Sequence, residues 1–78
     1  IQMQGYQREM SYEDTGLPWV LPSPNLATVE AAYTFVGTVL YEGTNISEGR
    51  GSTRSLEIVG HPKIEAFSFH EKLKEVLK

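Results

Sequence analysis

The densest chemistry-bearing stretch of the chain is YEGTNISEGRGSTR, Tyr41 to Arg54. It sets two carboxylates, Glu42 and Glu48, beside two guanidiniums, Arg50 and Arg54, with the amide of Asn45 and the hydroxyls of Ser47 and Thr53 among them. Two carboxyl groups flanking one bond are what acid–base cleavage of a glycosidic link uses. One protonates the leaving oxygen, and the other stabilises an oxocarbenium-like centre or activates water. A guanidinium adds a planar fork of donors that fits a planar anion. The same residues also suit a plainer role, a solvated loop whose glutamates and arginines neutralise each other, because exposed ion pairs are common and individually weak. Spacing alone leaves both readings open.

Other signals are thinner. Gly49-x-Gly51 is neither a Walker loop nor a dinucleotide fingerprint, since the third glycine and the lysine are missing. His61 and His70 have no partner at ligand spacing, so no metal is expected. Asn45-Ile46-Ser47 fits the glycosylation acceptor pattern, which is frequent by chance. Trp19, after Pro18, could offer a stacking face to a sugar or could anchor its own loop on the core.

The elements that must position these groups follow from periodicity and punctuation. Residues 43–53 hold three glycines and five hydroxyl or amide side chains, which predicts a loop able to bend sharply or approach a ligand closely. Upstream, Thr28 can cap a helix with Glu30 in its first turn. Val29, Ala32, Val36, Val39 and Leu40 then share one helical face, with an interruption expected near Gly37. The β-branched and aromatic run at 33–41 supports a competing strand reading. Residues 18–25 carry three prolines in PWVLPSPN and predict a stiff, extended loop, preceded by a solvated connection over 7–17. Alternation at IQMQGY, with Ile1 and Met3 on one face, predicts a strand over 1–6, and SLEIV predicts another over 55–59, ended by Gly60 and Pro62. Ser68 and Glu71 form a capping box for a helix running to Lys78, with Phe69, Leu73, Val76 and Leu77 on one face.

Composition bounds the function. At 78 residues with no cysteine, the chain has a marginal core and no disulfide or thiolate metal site to reinforce it. A hydrophobic share of 40% is too high for a disordered chain, and a net charge of −3 without a basic stripe argues against a nucleic-acid partner. No apolar run is long enough to span a bilayer. The strand-like opening at Ile1 and the helical pattern still running at Lys78 read as cuts through a longer protein, so residues 1–78 are expected to form a single partial domain.

The strings TGLPWVLPSPN and GTVLYEGTNISEGRGSTR, followed by Gly60-x-Pro62, resemble the DUF1343 family, whose characterised members are exo-β-N-acetylmuramidases of peptidoglycan recycling, of the NamZ type. The resemblance runs in order from about Tyr6 to Ile64, most of the chain, and its motifs are long. It implies an α/β fold: a fragment of a Rossmann-like domain with two helices and a few short strands, from the middle portion of a longer protein. It implies hydrolysis that removes terminal N-acetylmuramic acid from the non-reducing ends of peptidoglycan fragments, or else a non-catalytic glycan- or anion-binding scaffold segment of such an enzyme. On the matching positions, Glu42 and Glu48 are the candidate catalytic carboxylates, and Asn25, Asn45, Ser47, Arg50, Thr53 and Arg54 the candidate substrate-binding residues. Arg50 and Arg54 would read the lactyl carboxylate that distinguishes muramic acid from glucosamine. The implied partners are a peptidoglycan-derived glycan and the remaining portions of the parent chain, with no cofactor, and the fragment alone is expected to be inactive. An extracytoplasmic setting, periplasmic or secreted, is preferred to a cytoplasmic one. The chain departs from the family pattern at Ala27, Val36 and Ser55, where prolines are usual, and at Leu56, where an aromatic is usual; these are backbone-stiffening or packing positions.

Overall fold

A computed structural model describes all of residues 1–78. Its regular elements are two α-helices, α1 over Val29–Thr38 and α2 over Ala66–Val76, and two short 3₁₀ segments, Glu13–Thr15 and Val39–Gly43. The helix-against-strand ambiguity at 33–41 resolves as helix. The Thr28 hydroxyl accepts the Ala31 N–H at 3.2 Å, which satisfies one of the donors left free at a helix start. After Gly37 the helix tightens from α to 3₁₀ and ends at Gly43.

The α/β expectation is corrected: there is no strand and no sheet. The only β pairing is one isolated antiparallel bridge between Ser47 and Gly60, with N···O distances of 2.8 and 2.9 Å. Residues 1–6 have the right alternation but no neighbouring strand to take their backbone groups, and Gly5 turns the chain at φ 77°. Residues 55–59 fail as a strand for a local reason. Leu56 sits at φ 67°, in the left-handed region, where an extended ladder cannot pass.

Two further expectations are revised. Ser68 does not begin α2. The helix starts two residues earlier, because the Glu65 carboxylate accepts both the Phe67 and Ser68 N–H groups, at 3.0 and 2.7 Å, and outcompetes the serine hydroxyl as cap. The apolar face expected on α1 is covered only in part: Val29, Ala32 and Val39 are half-buried. Val36 and Leu40 point to solvent, each 78% exposed, whereas Ala31 is buried. The small alanine lets the neighbouring loop come close, and Thr38, two turns further along the same face, donates its hydroxyl to the Leu56 carbonyl at 2.9 Å.

The core is minimal. Four residues are buried: Ala31, Leu56, Glu48 and Ser55. α2 packs against no other helix or 3₁₀ segment, and its Phe67, Val76 and Leu77 are exposed. The radius of gyration is 15.7 Å, against about 11–12 Å for a compact domain of this length. Hydrogen bonds and turn geometry therefore carry the arrangement more than apolar burial does.

In the N-terminal part, Tyr12 meets Trp19 edge to face with ring centroids 5.1 Å apart, and Trp19 donates its indole N–H to the Leu26 carbonyl at 3.0 Å. The indole is thus a loop anchor for the proline-rich stretch. Tyr33 on α1 donates its hydroxyl to Glu13 at 2.6 Å and accepts the Tyr12 N–H at 3.2 Å, tying this part to the helix. The Tyr33 phenol is held above its ordinary pKa by that hydrogen bond to Glu13, and the Glu13 carboxyl is lowered by the same bond.

Candidate functional site

The site is a loop wrapped against the start and end of α1. Gly49 and Gly51 both adopt positive φ, 80° and 82°, which only glycine takes without strain. At Gly49 space forbids a side chain as well: a Cβ there would lie 2.6 Å from Ile58 Cγ1. These two bends turn Arg50 back over the segment that precedes it.

Arg50 then joins both candidate carboxylates. Its Nε donates to Glu48 and its Nη2 to Glu42, eight residues upstream. Glu48 is buried, at 7% exposure, whereas the Glu42 and Arg50 side chains are each more than a third exposed. The two carboxylates raise the Arg50 pKa, Glu42 contributing most. Two acids on one base leave the cluster with a net charge of about −1, so it suits sugar hydroxyls as ligands better than a second anion. Arg50 still has three of its five N–H donors uncommitted to the glutamates.

The other candidates fall in different places. Arg54 is paired with Glu57 at 3.0 Å and its side chain is 67% exposed, apart from the Arg50 cluster in its hydrogen bonding. Asn45 is exposed and its amide faces His61 Nε2 at 3.4 Å. On the other side of the ring, His61 Nδ1 accepts the Lys63 N–H at 3.1 Å. Ser47 Oγ accepts the Gly49 N–H at 3.2 Å, so it serves the bend. Thr53 is exposed on a small hollow of about 80 Å³, lined also by Pro24, Asn25, Thr28, Ser55 and Glu57. Asn25 is half-buried and bonded to the loop: its Oδ1 accepts the Gly51 N–H at 3.2 Å and the Ser55 hydroxyl at 3.0 Å.

Leu56 is the residue whose role sequence reasoning missed, having placed it in a strand. It is 1% exposed. Its N–H donates to the Glu48 carbonyl at 2.8 Å, and its carbonyl accepts from Thr38. Left-handed backbone costs a leucine about 1–2 kcal/mol, and burial of its side chain returns about 2 kcal/mol. No sequence signal announces such a residue, because it is set by long-range closure. No group of three or more His, Cys, Asp or Glu side chains is placed to hold a metal ion. No helix is long and apolar enough to cross a membrane.

Comparison with known proteins places the chain in a family. Residues 1–30 match the family model described as "Exo-beta-N-acetylmuramidase NamZ, N-terminal", and residues 33–77 match "Exo-beta-N-acetylmuramidase NamZ, C-terminal". The seam between the two matches falls inside α1, and the loop with Glu42, Glu48 and Arg50 lies wholly in the second. The peptidoglycan beta-N-acetylmuramidase NamZ of Bacillus subtilis (strain 168) is 48% identical over 73 residues, which is 94% of this chain and 18% of that relative. No solved structure matches the chain. With the C-terminal model covering more than half of its residues, the chain belongs to the exo-beta-N-acetylmuramidase NamZ family.

Proposed function

We propose that this chain is part of a glycoside hydrolase that removes terminal N-acetylmuramic acid from the non-reducing ends of peptidoglycan fragments, acting with the remaining portions of a longer parent chain. The family supports the reaction, and the B. subtilis relative is named for a peptidoglycan β-N-acetylmuramidase. The observation that carries the local reading is the convergence of Glu42 and Glu48 on Arg50. Of the two acids, Glu42 is open to a substrate; ion-paired with Arg50 it is a carboxylate, and it is assigned activation of water or stabilisation of the oxocarbenium-like centre. Glu48, buried against the loop, holds Arg50 in place. Arg54, whose guanidinium is mostly exposed, is the better recognition group for the lactyl carboxylate, because the Arg50 cluster already carries excess negative charge. A periplasmic or secreted setting goes with such a substrate.

A second reading is favoured by the burial of Glu48: the cluster is a non-catalytic scaffold that shapes a glycan-binding loop. Single substitutions in the full-length protein separate the two. If Glu42 takes part in the chemistry, Glu42→Gln lowers kcat on an N-acetylmuramyl-terminated glycan by about 10²-fold or more, while the variant's thermal midpoint falls no further than that of Arg50→Lys. A fall in Tm with kcat retained favours the scaffold. If the arginines recognise the sugar, Arg50→Ala and Arg54→Ala raise KM, and unchanged kinetics in both variants would end that assignment.

A further inference from the structure

We propose that Asn25 is a positioning residue, which acts on the glycan site by aiming the Arg50-bearing loop and not by touching the sugar. The inference rests on the reading of Glu42, Glu48 and Arg50 as the site, and it gives a role to the PSPN element that lies outside their loop. Asn25 Oδ1 has two acceptor sites, and both are filled from the same loop, by the Gly51 N–H at 3.2 Å and the Ser55 hydroxyl at 3.0 Å. A backbone N–H can only donate, so the amide oxygen, not the nitrogen, faces the loop. Gly51 is the residue directly after Arg50 and stands at φ 82°, so the peptide that Asn25 grips is the one that sets the direction of Arg50. Ser55, the second donor, is buried and precedes the left-handed Leu56. One amide thus pins the loop on both sides of residues 52–54.

The anchor end is itself fixed. The Asn25 N–H donates to Ser23 Oγ at 3.3 Å, the Leu26 N–H to the Ser23 carbonyl at 2.9 Å, and Trp19 holds the Leu26 carbonyl. Asn25 lies in the stretch that matches the N-terminal family model, and Gly51 and Ser55 lie in the stretch that matches the C-terminal one. The amide therefore couples the two parts at the point where the candidate site is built.

The test uses the full-length protein with Asn25→Leu, which keeps the approximate shape and removes both acceptor sites, and Asn25→Asp, which keeps them. The first readout is hydrogen exchange at the Gly51 amide. It is expected to be protected in the wild type, protected in Asn25→Asp and exposed in Asn25→Leu. The second is kcat/KM on an N-acetylmuramyl-terminated disaccharide, expected to fall roughly tenfold in Asn25→Leu, the size of one or two lost hydrogen bonds, and to be restored in Asn25→Asp. Combined with Arg50→Ala, the Asn25→Leu loss should not add, because both act through the same guanidinium. Additive losses would mean that Asn25 meets the substrate directly and would overturn the proposal. A Gly51 amide that exchanges freely in the wild type would overturn it too, even if Asn25→Leu does not fold. Should the protein show no muramidase activity, the functional reading fails while the exchange data still decide the clamp.

Discussion

Arg50 bridges Glu42 and Glu48, so two carboxylates six residues apart in sequence share a single guanidinium. Lysine cannot reproduce this, because an ammonium is a point charge and not a fork that reaches two carboxylates at once. Arg50→Lys is expected to lower the thermal midpoint of the full-length protein nearly as far as Arg50→Ala does. A scanning calorimetry series would check this, and full recovery with lysine would count against a bridging geometry.

Gly49 is irreplaceable for two independent reasons, its φ of 80° and the Ile58 side chain in the way of any Cβ. Gly49→Ala should cost about 1–3 kcal/mol from the backbone alone, with displacement of Ile58 added. Gly51 has the same φ sign but open space around it. Gly51→Ala should therefore be the milder of the two in chemical denaturation.

At Leu56 the usual order of substitutions should invert. Leu56→Ala loses the buried side chain and keeps the strain, for a cost of about 2–5 kcal/mol. Leu56→Gly loses the same side chain but relieves the left-handed backbone, and should be about 1 kcal/mol less harmful. Equilibrium unfolding of both variants measures the difference; an alanine variant more stable than the glycine one would mean that residue 56 does not hold this conformation in solution.

The cap of α2 makes the helix pH-dependent. Glu65 is held below the usual carboxylate range by the N–H groups of Ser68 and Phe67. A lowered folded-state pKa means that the stabilisation is complete above the ordinary glutamate pKa and is lost as pH falls through the lowered value. Helicity followed by circular dichroism should drop over that acid range, and Glu65→Ala should lower it at neutral pH and flatten the acid transition.

The Arg54–Glu57 pair should matter little for folding. The arginine side chain is mostly exposed, and such surface pairs contribute about 0–1 kcal/mol. Arg54→Ala is expected to leave the unfolding midpoint within error while raising KM, and a large stability loss without a kinetic change would assign Arg54 to the scaffold instead.

Much of this protein was legible in its sequence. Thr28 marks the start of α1 because a capping hydroxyl acts on a donor three residues away, within reach of local reasoning. The glycines of 43–53 announce the bends, and the ordered motifs announce the family. What the tertiary structure decided depends on partners far along the chain. Asn25 finds Gly51 and Ser55 at separations of 26 and 30 residues, and Leu56 is forced into left-handed backbone by the closure of that loop onto α1. The strand-like patterns at 1–6 and 55–59 do not become a sheet: Leu56 takes the second out of extended backbone, and the first lacks a partner. A strand is completed only by a neighbour that takes its hydrogen bonds, and apart from the one bridge between Ser47 and Gly60 these 78 residues place none alongside.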